Sequence, residues 1–231
     1  MKGRIYLIPV TLGGDDFLKV IPEKVISLTR QLRYFIVEDI RSARRFLRLI
    51  DREFPIDETV FFVLNEHTSD SEISEYLDPV QKGFNIGLMS EAGLPCIADP
   101  GGKIVALAHR KKIEVTPLSG PSSIILALIS SGLNGQNFTF NGYLPVKPAE
   151  RVAKIRDLEK KSKDGVSQIF METPYRNQRM LESVLESCHP DLKLCIAADI
   201  TLTIESIITK SISEWRKDIP QLKDKMVIFI F

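Results

Sequence analysis

Carboxylates stand just where short apolar runs of this 231-residue chain give way to polar residues. Glu38 and Asp39 follow YFIV, Glu66 follows VFFVLN, Glu91 follows IGLMS, Glu172 follows QIFM and Asp199 follows CIAA. A carboxylate at such a point can accept a proton or a hydrogen bond from a bound ligand. It can equally cap the helix that follows, because exposed N–H groups and the helix dipole favour an anion there. For any single residue both readings stand. Asp99 lies in a different setting, the stretch GLMSEAGLPCIADPGG at 87–102. Its glycines allow positive φ and close approach of a ligand to the backbone, yet the stretch matches neither a Walker loop nor a G-x-G-x-x-G fingerprint. Asp99 can act on a ligand or hold the loop's own backbone. A second polar corner is PLSGPSS at 117–123, where Ser119–Gly120 turns the chain and Pro121 opens a helix whose first turn carries Ser122 and Ser123.

The remaining candidates are few. His67 reads either as a base or as a structural histidine, and His109 and His189 have no metal-ligand spacing. Cys96, Cys188 and Cys195 are odd in number and contain no C-x-x-C pair, which argues against a disulfide framework or a zinc site and fits reduced thiols in the cytoplasm. No metal is implied. No apolar run approaches the roughly 18 residues needed to cross a membrane. A net charge of +1 does not announce a polyanion partner, and 44% hydrophobic residues describe an ordinary globular chain.

These residues need strands and helices to position them. Strand-like runs at 4–10, 34–39, 60–67, 84–90 and 113–118 alternate with helical patterns at 21–32, 42–51, 69–80 and 103–112, which predicts a mostly parallel five-stranded α/β sheet. The second half repeats the alternation: helices at 121–132, 150–161 and 178–187, strands at 138–145, 166–172, 192–199 and 226–231. The run at 203–211 follows its predecessor too closely for a parallel crossover, so that pair is expected to be an antiparallel hairpin. The reading is two α/β/α domains, 1–116 and 117–231, the second with a mixed sheet.

The two polar corners, in order and together, resemble the tetrapyrrole-methylase superfamily of S-adenosylmethionine (AdoMet)-dependent methyltransferases. Within it the chain is most similar to the ribosomal RNA small-subunit methyltransferase I group, which methylates a cytidine 2′-hydroxyl. YLIPVTLGGDD, VEDIR (37–41), NEH (65–67), MSEAGLPCIADPGG, VTPLSGPSS, FNGYLP (140–145) and METPYR (171–176) carry the likeness in colinear order. The chain departs from that group at Thr11 and Leu12, where the group has Gly-Asn. It departs again at Ala198, Asp199 and Leu202, where the group has Arg, Glu and Lys; Thr201 and Glu205 match.

The resemblance implies a non-Rossmann, class III methyltransferase fold that holds AdoMet in the cleft between two domains. The implied cofactor contacts are Pro9, Ser90, Glu91, Ala92, Gly93, Pro121, Ser122, Ser123 and Met171. It also implies a homodimer. Methyl transfer from a sulfonium is an in-line displacement, so alignment does most of the work. A ribose hydroxyl is a weak nucleophile that a carboxylate would assist, and Glu38, Glu66 and Asp99 are the candidates by position. Arg41, Arg44, Arg45, Arg48 and Arg52 fall within roughly 60° of one direction on a helix, opposite Ala43, Phe46, Leu47 and Ile50. Such a stripe is a solvated face or a polyanion dock. Arg41, Arg44 and Arg48, with Arg176, are taken as substrate contacts. Two alternatives stay open: the same fold acting on a tetrapyrrole or other small molecule, and an AdoMet-binding paralogue without transferase activity.

Overall fold

The computed structural model describes residues 3–231. The chain forms two compact units, one ending at Ser122 and the other running from Ser123 to Phe231.

The first unit is built on a parallel sheet of five strands, β1 (Arg4–Leu7), β2 (Tyr34–Val37), β3 (Val60–Val63), β4 (Ile86–Met89) and β5 (Glu114–Pro117), in the order β3-β2-β4-β1-β5. Parallel strands need covered faces, and the alternation of side chains supplies both. Phe35 and Val37 join a core with Ala43, Phe46, Leu47 and Ile50, which come from α2 (Ile40–Ile50), and with Val25 and Ile26 from α1 (Glu23–Arg30). Ile5, Ile36, Ile86 and Leu88 pack on the opposite face against Ile73, Val80, Ile104 and Ala108, from α3 (Asp70–Glu75), α4 (Asp78–Gln81) and α5 (Gly102–Arg110). Every strand therefore ends at one edge of the sheet, and the loops that follow share that edge.

The single helix expected over 69–80 is broken into α3 and α4. Pro79 lacks an N–H and is tolerated in the first turn of a helix but not in its interior, so the first helix stops after Glu75 and a new one starts at Asp78 with the proline in its first turn. Asp39 settles as the N-cap of α2, its Oδ2 accepting from the Ser42 amide at 2.7 Å and from the Ser42 hydroxyl at 2.8 Å. The helix ends at Ile50, so Arg52 lies beyond it and outside the expected stripe.

The second unit carries a mixed sheet of β6 (Phe138–Tyr143), β7 (Ser167–Met171), β10 (Val227–Ile230), β8 (Lys193–Ala198) and β9 (Ser206–Ser211), in that spatial order. Only β6 and β7 run parallel; β8 and β9 form the expected antiparallel hairpin. α7 (Pro148–Lys163) and α8 (Asn177–Ser187) share a core with Phe170, Ile196 and Phe229, and α6 (Ser123–Ser131) packs on β8, β9 and β10. α6 begins at Ser123, so Pro121 and Ser122 precede it rather than form its first turn. A short helix absent from the sequence reading, α9 (Ile212–Trp215), is fixed by a capping box between Ser211 and Glu214 and by a hydrogen bond from Trp215 Nε1 to the Leu194 carbonyl.

Candidate active site

At the edge where the first unit's strands end, three loops meet around Pro9. Past β1 the chain stays extended: the Ile8 amide donates to the Leu88 carbonyl and the Val10 amide to the Gly93 carbonyl, both at 2.9 Å. The Gly93 amide donates back to Thr11 at 3.4 Å. The loop after β4 is thereby stitched to the loop after β1. From the other side the loop after β5 closes in, because the Leu118 amide donates to Leu7 and Gly120 lies against Pro9. A Cβ at position 120 would stand 2.1 Å from the Pro9 Cβ, so only glycine fits.

Gly93 is constrained by the chain itself. Its φ is +70°, and a Cβ there would lie 3.0 Å from Leu12 Cδ2 and 3.2 Å from the Pro121 carbonyl oxygen. Leu12 and Thr11, where the resemblance breaks down, therefore sit within this junction. Thr11 contributes its backbone carbonyl, which any residue can offer, and its hydroxyl donates to the Gly14 carbonyl at 3.5 Å.

Beside this junction the ends of β2 and β4 bring three carboxylates together. Burial, Glu91 and Asp99, in that order, push the Glu38 carboxyl above the ordinary carboxylate range, while the Glu91 backbone amide donates to it and partly offsets them. Glu38, Ser90 and Asp99 line a small pocket with Leu64, Met89 and Gly101. Asp99 is spoken for: its Oδ2 accepts from the Cys96 amide at 2.8 Å and its Oδ1 from the Gly101 amide at 2.7 Å. These bonds hold a loop in which Cys96 and Ala98 both have positive φ, 70° and 62°. Burial, reinforced by Asp99, pushes the Cys96 thiol up to about 11, so it stays protonated. Glu66 lies apart on the exposed turn after the outer strand β3 and is not among the groups that perturb Glu38. Next to it the His67 amide donates to Asn65 Oδ1.

The arginines of α2 divide as the helix geometry requires. Arg41, Arg44, Arg45 and Arg48 are exposed, and Ala43, Phe46, Leu47 and Ile50 are buried. Arg44 lies over the Phe61 ring at 5.5 Å, an aromatic partner that the helix sequence alone does not reveal.

In the second unit Ser123 is the first residue of α6 and Met171 the last of β7, half-buried opposite Tyr143. Arg176 is tied to a buried partner. Glu172 Oε1, on a side chain 2% exposed, accepts from Arg176 Nε at 2.9 Å and Nη2 at 2.7 Å, and from the Thr173 amide at 2.7 Å. Asp199 serves the scaffold: its Oδ1 accepts from the Met226 amide, and Lys225 Nζ lies 3.6 Å from its Oδ2. Glu205 accepts from the Thr201 amide at 2.7 Å. Glycine-to-proline packing at Gly120 and the Glu172–Arg176 pair are the features sequence reasoning missed. The SGP turn pointed to the first, and the i,i+4 spacing of opposite charges was the one local sign of the second.

Comparison with known proteins extends this description. The pattern of the family described as Tetrapyrrole (Corrin/Porphyrin) Methylases matches residues 13–215. The chain belongs to this family. It is a methyltransferase. A ribosomal RNA small subunit methyltransferase I from Vibrio cholerae serotype O1 is 30% identical over 230 residues, covering 98% of this chain and 76% of that protein. Its namesake from Streptococcus pyogenes serotype M6 is 30% identical over 213 residues, covering 92% of this chain and 70% of that one. The crystal structure of the methyltransferase CobJ matches with a TM-score of 0.65 at 15% identity, covering 99% of this chain and 93% of that one, which speaks to the fold alone. Among the described residues no cluster of His, Cys, Asp or Glu suits a metal ion, and no helix is long and apolar enough to cross a membrane.

Proposed function

We propose that this family member transfers the methyl group of AdoMet to a ribose 2′-hydroxyl of RNA, with the cytidine of small-subunit ribosomal RNA as the acceptor. The observation that carries the cofactor reading is the junction of three loops on Pro9, a side-chain-poor corner beside a cluster of carboxylates. Such a corner suits a bulky, flat nucleoside held through backbone groups, and the carboxylates suit a ligand with a positive sulfonium and ammonium. The RNA reading is supported by the relatives' names and by the exposed arginines of α2, which start two residues after Glu38–Asp39.

AdoMet supplies an activated methyl group, so the protein's task is alignment and proton management. Ser90, Glu91, Ala92 and Gly93, with Pro9, Pro121 and Ser122, hold the cofactor on the first unit. Glu38 takes the hydroxyl's proton. Its raised affinity for a proton makes it a stronger base than an ordinary carboxylate, and it accepts one loop amide, from Glu91, whereas both oxygens of Asp99 are engaged by amides. Arg41, Arg44 and Arg48 offer charge to the phosphates. Arg176 adds to them only with the part of its guanidinium that Glu172 leaves free.

We take the protein to be a homodimer, for which exposed Ile125 and Ile129 on α6 offer an apolar face, and to be cytoplasmic, in keeping with three free thiols. The test of the reaction is transfer of labelled methyl from AdoMet to unmodified small-subunit RNA, with a panel of tetrapyrroles alongside. Label in 2′-O-methylcytidine is expected. Label in a tetrapyrrole alone, or AdoMet binding with no transfer to any acceptor, would overturn it.

A further inference from the structure

The second unit exposes large apolar side chains along one edge. Tyr143 is 56% exposed, Val146 59%, Tyr175 68%, Ile204 62% and Met226 53%. The topology puts all of them at the same side of the sheet: Tyr143 ends β6 and Val146 follows it, Tyr175 follows β7, Ile204 follows β8, and Met226 precedes the antiparallel β10. Single exposed apolar residues need no explanation, but a run of them along one edge marks an interaction surface.

The two tyrosines are mounted rigidly. Tyr143 pairs with Met171 after a bulge in β6, where Gly142 takes a φ of +64° and the bulge re-aims the following side chain. Tyr175 sits in a single helical turn, Pro174–Arg176, closed by the Arg176 amide on the Thr173 carbonyl at 2.9 Å and braced by the Asp224 amide on the Pro174 carbonyl at 3.2 Å. The Arg176 guanidinium, itself anchored by Glu172, lies 5.3 Å from the Tyr175 ring centroid. An exposed ring backed by a fixed cation is what a nucleobase needs. Every base has a π-face, aromatic stacking accepts any sequence, and the nearby charge favours a polyanion.

We propose that Tyr175 and Tyr143 form a stacking platform for unpaired bases of a single-stranded RNA substrate. This rests on the RNA reading above. It supplies what the first unit's arginines do not: those offer charge to phosphates, whereas this edge offers flat apolar surface to unpaired bases. The cofactor's adenine is the rival occupant of the same chemistry, and the test separates the two.

The test measures binding of a fluorescein-labelled single-stranded RNA 12-mer of mixed sequence by anisotropy at several salt concentrations, and AdoMet binding by calorimetry. Tyr175→Ala and Tyr143→Ala are each expected to weaken RNA binding about 5- to 150-fold, the range for loss of one stacked base. The salt slope should stay as in the wild type, because no phosphate contact is lost. Tyr175→Phe should keep wild-type affinity, and AdoMet affinity should not move in any variant. Alanine variants that bind RNA like the wild type would overturn the platform alone. A loss of AdoMet affinity would hand the edge to the cofactor and overturn it too. A wild-type protein that binds no RNA would fail the underlying reading and this inference with it.

Discussion

Replacing Asp99 separates a scaffold from a base. Its two oxygens accept from the Cys96 and Gly101 amides at 2.8 and 2.7 Å, and the loop they close carries two non-glycine residues at positive φ, Cys96 and Ala98. Each residue held there costs on the order of 1 kcal/mol or more, and each charge-assisted hydrogen bond returns about 1.5–3 kcal/mol. Asp99→Ala removes both acceptors at a half-buried site where water replaces part of the loss, so about 2–3 kcal/mol of global stability should go. Asp99→Asn keeps one acceptor and turns an NH2 toward the other amide, so it should lose a substantial part of that amount. Urea unfolding with a constant m-value reads the change. Both variants should bind AdoMet more weakly, since the 90–102 loop relaxes, while turnover at saturating cofactor falls less. An Asp99→Asn protein with wild-type stability and AdoMet affinity but no turnover would refute this reasoning and make Asp99 the base.

Glu38→Gln should abolish most methyl transfer while leaving AdoMet binding within a few-fold. Because the Glu38 carboxyl is raised in the fold, its contribution to stability is present below the unfolded-state value of about 4.5 and lost as pH rises through the folded value. The wild type should therefore lose stability relative to Glu38→Gln as pH climbs through that window; parallel curves would contradict it. Arg176→Ala leaves the buried Glu172 carboxylate with Thr173 alone and should cost about 3 kcal/mol, with Glu172→Gln/Arg176→Ala recovering part of it. A change under about 0.5 kcal/mol, the scale of an ordinary surface substitution, would show Arg176 to be free of the scaffold. Arg44→Ala/Arg48→Ala should weaken RNA binding and reduce the magnitude of its salt slope by up to about 2, and unchanged binding would remove α2 from the substrate surface.

The alternation of apolar runs and helical patterns made both sheets legible, including the β8–β9 hairpin, because chain length between strands decides whether a crossover fits. Element ends were less legible. Strand β1 stops at Leu7 rather than Val10, just short of Pro9, which has no N–H to give the ladder, although the extended chain past it still bonds to Leu88 and Gly93. The helix over 69–80 is broken ahead of a proline visible in the sequence, a local rule that prevails over the apolar spacing. At the candidate site the residue types could be read from the sequence, and their contacts could not. Asp39 and Asp99 looked like Glu38, and only the fold shows the first capping a helix, the second holding a loop by two amides, and Glu38 pressed by burial and two carboxylates that one amide only partly offsets. The Glu172–Arg176 pair has i,i+4 spacing, but it straddles the end of a strand and a single three-residue helical turn, where the helix spacing rule gave no reason to expect it.

Hydrogen exchange of the protein with and without saturating AdoMet, read by mass spectrometry, goes straight to the corner around Pro9. The account predicts slowed exchange in peptides spanning 8–14, 90–102 and 117–123, with the outer helix faces unchanged. Protection confined to other segments, or none at saturating AdoMet, would contradict it.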